Sequence, residues 1–575
     1  MPPTWQELVV DKRTRQTASI PHDWLISAPA EDVLDVTRLP AECGVLSPQE
    51  LAITETDDVE VLLGRLASGE LSSVQVTTAF YKRAIVAHQA VNCLTEIFVD
   101  RALERAAWLD EQLKITGKVV GPLHGLPVSL KDQINLKGLE TCMGYVGWLG
   151  KYSEKDAVIA EVLCSAGAVP FVRTNVPQTL MWPETFNLVF GRTVNPFNRA
   201  LTSGGSSGGE GALLGMKGSP LGVGSDLGGC ASFHLVLNGT KSDRNPTDRS
   251  IRIPAGFNGL YGLRPSCNRV PYTGASNSLE GQDSLPSVLG PLSRSLSGVK
   301  AFMKAVADAK PWRRDPLAIR KPWDEDAYGL VHHGGGTKLV FGFIWSEGVT
   351  TPQPPVLRAL EMTKKALLDA GHEVVDWEPY KHAELFQVTR GIFSAVGDED
   401  YQVVVQASGE PLLRSMAQGD PDESPHATGL ARSSAYEFWQ HNKRRLRLRK
   451  EYLDRWEATA ATTSTGRPVD ALVSPVAPWA APPHGKNTYA AYTRVFNALD
   501  YAACTFPVTR VDPALDGKKP PHEFISEWDE TVYNLYDPEV FKNAPVALQL
   551  VGRTLEEEAV IAMTEVVDAA LKSAA

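Results

Sequence analysis

Residues Ser203 to Gly229 read SGGSSGGEGALLGMKGSPLGVGSDLGG, a glycine density that ordinary strands and helices avoid. Glycine loses more backbone freedom on folding than any other residue, so such a run is kept where positive φ, close backbone approach or exposed N–H groups are needed. The stretch predicts a cradle for an anion or an oxyanion. A phosphate loop fits poorly: Gly222-Val-Gly224 and Gly209-Glu-Gly211 lack the third glycine, and neither continues into a Lys-Ser or Lys-Thr pair. The serine-hydrolase elbow Gly-x-Ser-x-Gly is present as Gly204 to Gly208, with His333-Gly-Gly-Gly336 as a companion string. In α/β-hydrolases that string precedes the nucleophile, whereas here it trails Ser206 by 127 residues. His333 to Gly336 therefore reads as a plain loop ahead of a strand at Lys338.

A second element lies upstream, Gly121-Pro-Leu-His-Gly-Leu-Pro-Val-Ser-Leu-Lys-Asp132. Lys131 closes an apolar strand run where a solvating lysine is out of place. Alone, such a lysine is more often a snorkelling surface group. Beside the glycine-serine stretch it reads as a buried functional amine.

Further outward, β-type runs at Leu126–Leu130, Ala168–Val172, Lys338–Ile344, Ala471–Val473 and Ala544–Val551 alternate with helical stretches. That rhythm predicts an α/β fold, a large mostly parallel or mixed sheet covered by helices on both faces. Ser72 and Ser73 cap an expected surface helix with Val76, Phe80 and Ala84 on one stripe and Lys82 and Arg83 facing away. The last helix is expected to open with Thr554 and Glu557 in capping-box register and to carry Leu555, Ala559, Ala562, Val566 and Ala569 along one stripe. Segment 408–434 reads as a loop, and the basic run Lys443 to Lys450 as a solvated helix face. Residues 1–55 read as an N-terminal arm anchored by Trp5 and Trp24, and 56–575 as a single domain.

Composition narrows the function. With 575 residues, 43% of them hydrophobic and 22% charged, the chain can bury a large core. A net charge of −11 gives no positive field for nucleic acid or anionic lipid. The seven cysteines are scattered and form no C-x-x-C pair, which argues for reduced thiols and against zinc. Twelve histidines yield no H-E-x-x-H. No apolar run approaches the roughly 18 residues of a membrane span, and the N-terminus lacks a signal-peptide core. The expectation is a cytoplasmic protein without metal or organic cofactor, with neither nucleic acid nor membrane as partner, and with a homodimer left open.

The glycine-serine stretch, the Lys131 segment and Ser250-Ile-Arg-Ile-Pro-Ala-Gly-Phe-Asn-Gly-Leu-Tyr-Gly-Leu-Arg-Pro-Ser266 together resemble the amidase signature family. The opening Pro-x-x-Trp-Gln-Glu-Leu, Asn175 to Met181, Gly191 to Pro196 and Ala544 to Gly552 resemble its fungal acetamidase branch, so the likeness spans nearly the whole chain. It implies a Ser–cis-Ser–Lys hydrolase of small carboxamides. Matched by motif, Lys131 is the base, Ser206 the bridging serine behind a cis peptide, and Ser250 the nucleophile. The N–H groups of Leu227, Gly228, Gly229 and the nucleophile form the oxyanion cradle. Leu180 lines the acyl pocket, beside Met181, and Ser207 supports the bridging serine. Asp226 and Arg252 match positions whose charge is structural, although ordinary loop salt-bridging reads equally well.

The chain departs from the family in one place. Where the family runs Gly-Gly into Ser-Ile-Arg, 20 residues, Cys230 to Arg249, intervene between Gly229 and Ser250. Removing them restores an uninterrupted Gly-Ser-Asp-Leu-Gly-Gly-Ser-Ile-Arg-Ile-Pro, which favours reading them as an in-frame intron. A cDNA read across Gly229 and Ser250 decides the matter. Were the segment retained, closing a 20-residue loop costs only about 2.7 kcal/mol beyond a constant. Catalysis is more exposed, since losing one oxyanion donor costs a factor of about 10² to 10³. Two alternatives therefore stand beside the amidase: a folded but impaired scaffold, and a chain in which Cys230, 24 residues after Ser206, replaces Ser250 as nucleophile.

Overall fold

The computed structural model describes residues 2–227, 251–413, 415–416, 432–489 and 491–574. Gly228, Gly229, Cys230, Ser250 and most of the 408–434 loop lie outside the described residues.

An eleven-stranded sheet forms the centre. In chain order its strands are β1 (Leu94–Ile97), β2 (Pro127–Lys131), β3 (Val169–Thr174), β4 (Leu221–Asp226), β5 (Tyr261–Arg264), β6 (Val288–Ser293), β7 (Val340–Phe343), β8 (Glu373–Asp376), β9 (Ala471–Pro475), β10 (Ala503–Arg510) and β11 (Pro545–Val551). They lie in the order β1-β3-β2-β4-β6-β5-β10-β11-β9-β7-β8. Pairing is parallel at β3-β2-β4 and at β9-β7-β8, and antiparallel through the middle and at the β1 edge. The sheet is thus mixed, and all five expected strand runs are present in it. Strands β2, β3, β4, β9 and β11 are buried along their whole length, as helix-covered strands must be, which explains their continuous apolar character.

The helix expected after Ser72 spans Ser73–Val91, and Ser72 and Gln75 close a capping box. It is not a surface helix. Val76, Phe80 and Ala84 are in the core, and Arg83 is buried too, donating to Met216 O at 2.8 Å and Thr54 Oγ1 at 2.9 Å. Periodicity marked the apolar stripe but not that the opposite face would meet polar acceptors on other segments. The last helix, Glu557–Ala574, also departs from expectation. Glu557 accepts from Ser266 N at 2.8 Å and pairs with Arg269, and Leu555 lies before the helix at φ 65°. A tertiary partner has taken the carboxylate that a capping box would use.

The basic run lies on the helix Ala435–Ala458, where Arg444 and Arg447 meet Glu384 and Lys450 pairs with Asp454, with Trp439 and Leu446 exposed. His333 sits in a tight turn, its Nδ1 2.8 Å from Asp470. At the N-terminus the helix Trp5–Ala18 buries Lys12 against Glu96 and Glu140. Among the described residues no helix is long and apolar enough to cross a membrane.

Candidate active site

Strand β2 runs parallel to β3 on one side and β4 on the other, with Leu130 opposite Val223. The C-terminal ends of β2 and β4 therefore emerge together, the usual place for a site in such a sheet. Lys131 ends β2, and Ser225 and Asp226 end β4. Lys131 is fully buried, and its Nζ lies 2.6 Å from Ser206 Oγ and 2.7 Å from Ser225 Oγ. Ser225 in turn donates to the amide oxygen of Gln133 and, through its own N–H, to Ser207 Oγ at 3.3 Å.

Ser206 follows a cis Gly205–Ser206 peptide. The loop that carries it is fastened from several sides. Thr185 Oγ1 donates to Gly204 O at 3.0 Å and accepts from Gly208 N at 3.2 Å, and Asn258 Nδ2 donates to Ser203 O at 2.9 Å. A Cβ on Gly205 would stand 2.5 Å from Trp182 O and 2.6 Å from Glu184 N, so close backbone approach requires glycine there. Directly after Ser207 the helix Gly208–Gly215 begins.

Two carboxyls of the glycine-serine stretch are fully buried. Glu210 accepts from Ser129 Oγ at 2.6 Å and Thr174 Oγ1 at 2.8 Å. Burial pushes its carboxyl up to about 8 against the opposing pull of these hydroxyls and of Lys131. Asp226 instead accepts from Arg252 Nε at 3.0 Å and Nη2 at 3.2 Å, and from Asn497 Nδ2 at 2.7 Å. Burial favours the protonated form here too, but the guanidinium overrides it and holds the Asp226 carboxyl below its ordinary range. Arg252 also donates to Thr493 O and Gln549 Oε1, both at 3.1 Å. This is a buried, bidentate ion pair rather than ordinary loop salt-bridging. It joins the chain just before residues 228–250 to the chain just after them.

Of the expected site residues, the structure thus brings Lys131, Ser206 and Ser207 together. Leu180, Met181 and Leu227 share one buried apolar cluster with Met143, Tyr145 and Val176. Ser225, Gln133 and Glu210 were not singled out in the sequence. Ser225 and Glu210 lie inside the quoted glycine-serine stretch and Gln133 two residues beyond Lys131, but only strand register shows that they meet.

The family model described as Amidase matches residues 75–232 and 245–561, its interruption falling inside the 20-residue insertion. The acetamidase of Aspergillus oryzae is 42% identical over 566 residues, covering 98% of each chain, and that of Emericella nidulans 42% identical over 570 residues with the same coverage. Among solved structures, fatty acid amide hydrolase superposes with a TM-score of 0.86 at 31% identity, covering 99% of this chain and 95% of the other. The chain belongs to the amidase signature family. It is an amidase, an enzyme acting on carbon–nitrogen amide bonds.

Proposed function

We propose that the protein hydrolyses small aliphatic carboxamides of the acetamide type to carboxylate and ammonia through an acyl-enzyme, with Ser250 as nucleophile, Ser206 as proton bridge and Lys131 as base. The observation that carries this reading is the 2.6 Å separation of Lys131 Nζ and Ser206 Oγ inside a buried hydroxyl network. Burial disfavours an ammonium ion relative to the free amine. A neutral Lys131 can take the proton of Ser206 while Ser206 takes that of Ser250, whose oxygen then attacks the amide carbon. The N–H groups of Leu227, Gly228, Gly229 and Ser250 are assigned to the oxyanion, each contributing roughly 3 kcal/mol to lowering the barrier. When the tetrahedral adduct collapses, Ser206 passes the proton to the departing nitrogen. Water activated along the same relay then cleaves the ester.

Two further observations support the assignment. The Asp226–Arg252 clamp ties Arg252, two residues after Ser250 in the chain, to the end of β4 beside Lys131. The cluster of Leu180, Met181 and Leu227 supplies an apolar wall for a short acyl group. The acetamidase names of the relatives suggest the substrate class. Residues 1–55 as an arm, 56–575 as one amidase domain and a cytoplasmic location belong to the same proposal.

The test is ammonia release from acetamide, propionamide and benzamide, combined with fluorophosphonate labelling. Labelling is expected to vanish in Ser250→Ala and to persist in Cys230→Ala. Persistent labelling of Ser250→Ala would remove the nucleophile assignment, and absence of amide hydrolysis by the intact chain would remove the substrate reading.

A further inference from the structure

Away from the active site, a cavity of about 510 Å³ opens where five basic side chains from five separate segments converge. Arg38 comes from the N-terminal region, Arg83 from the helix Ser73–Val91, Lys217 from the turn after the helix Gly208–Gly215, Arg294 from the end of β6, and Arg510 from the end of β10. Glu42 and Glu55 share the wall. In a chain with a net charge of −11, this is a local reversal of sign.

The cations are only partly matched by their neighbours. Glu55 takes Arg83 at 2.7 Å and Lys217, and Asp57 takes Arg294 at 2.6 Å and Lys217 at 3.2 Å. Arg510 lies over the Phe197 ring at 4.6 Å, hydrogen-bonds Asn543 at 3.0 Å, and has Asp35 as its nearby counter-charge. The side chain of Arg38 makes no hydrogen bond or ion pair among the described residues. Lys217 is held at φ 59°, a left-handed conformation that costs a non-glycine residue energy, and the turn in that conformation brings its amine to the cavity. Desolvation weakens proton binding by both the Arg83 and Arg510 guanidiniums, against the opposing pull of Glu55 on the first and Asp35 on the second, and the positive charge of Arg294 weakens it a little further in each. Like charges are therefore gathered against their own repulsion.

We propose that this cavity is a binding site for a dianionic phosphate group carried by a small organic molecule. Guanidinium forks match tetrahedral phosphate oxygens, and a dianion would supply the partner that Arg38 lacks and add to the Asp35 charge at Arg510. The volume exceeds that of a bare phosphate, which is why a phosphomonoester is the expected occupant. The site stands at the far end of the helix that starts beside Ser206 and Ser207, so it is separate from the amide-cleaving centre.

The test is calorimetric titration of the full chain with glycerol phosphate and with inorganic phosphate, against sodium chloride at matched ionic strength. Saturable binding of one glycerol phosphate per chain is expected, tighter than inorganic phosphate, and weakened about tenfold in Arg38→Gln and in Arg510→Gln. Arg38→Gln is the clean variant, because the side chain supports nothing else; its melting curve and amide hydrolysis should match the parent. Affinity unchanged from the parent in both variants would overturn the site. So would binding no stronger than the chloride control, and tighter binding of inorganic phosphate would overturn the phosphomonoester.

Discussion

Glu210 and Asp226 are both fully buried carboxyls beside strand β4, yet their surroundings drive them in opposite directions. Glu210 faces the hydroxyls of Ser129 and Thr174, which solvate it weakly, and it retains its proton to about 8. Asp226 faces a bidentate guanidinium and stays ionised. The same division separates two buried basic side chains: Lys131 meets Ser206 and Ser225, whereas Arg252 meets Asp226. One side of the site thus favours neutral groups that can trade protons, and the other favours fixed charges that hold the loop ends together. On the proposed mechanism, proton transfer and mechanical fastening fall to different halves of one small region.

If that division is right, substitutions on the two sides should fail in different currencies. On the hydroxyl side, Ser206→Ala and Lys131→Met are expected to lower kcat for acetamide by at least about 10³-fold, since both break the relay. Their thermal midpoints should stay level or rise, because no paired charge is orphaned. Ammonia release and calorimetry check both parts, and a collapse of the fold in Lys131→Met would break the contrast. On the clamp side, Arg252→Met should cost about 3–5 kcal/mol in urea unfolding by leaving the buried Asp226 charge without its bidentate partner. The double variant with Asp226→Asn should recover part of that loss, which a purely steric role for Arg252 would not allow.

The insertion probes how independent the two halves are. Because Asp226 and Arg252 are ion-paired across the insertion, that pair is expected to persist when residues 230–249 are deleted. Joining Gly229 to Ser250 is expected to stabilise the chain by up to about 2.7 kcal/mol through a shorter loop. If the insertion disturbs the oxyanion donors, kcat should rise by about 10² to 10³. Unfolding in urea and steady-state hydrolysis of the deleted and intact chains measure the two effects separately.

Much of the Lys131–Ser206 neighbourhood was legible beforehand because its signal is local in sequence. Glycines that admit close backbone contact, and a lysine ending an apolar strand, are visible as letters. What escaped reading depends on register and on partners far along the chain. The expected surface helix buries Arg83 because Met216, 133 residues away, offers it a carbonyl. The expected capping box of the last helix gave way because Arg269 and Ser266 claim Glu557. Ser225 stands in the same stretch as Ser206, but only parallel pairing of β2 with β4 makes it a neighbour of Lys131. The insertion was plain in the sequence, whereas the ion pair joining its two ends required the fold.

The pH dependence of stability tests the neutral side most directly. Glu210 is raised on folding from an ordinary value of 4.5 to about 8, so the unfolded chain releases this proton first. Its contribution to stability is complete below about 4.5 and declines as pH rises towards about 8, by at most about 1.4 kcal/mol per unit for one proton. Above that point the folded state ionises as well and the slope ends. Glu210→Gln, which keeps the hydrogen-bonding shape without the proton, should flatten this segment of the stability profile while leaving the acid limb intact. That limb belongs to carboxyls such as Asp226, whose folded value is depressed and whose stabilisation is lost as pH falls. An unchanged slope in Glu210→Gln would mean that Glu210 is ionised at neutral pH. An ionised carboxylate so near Lys131 would favour the ammonium, and the base on which the relay depends would be lost.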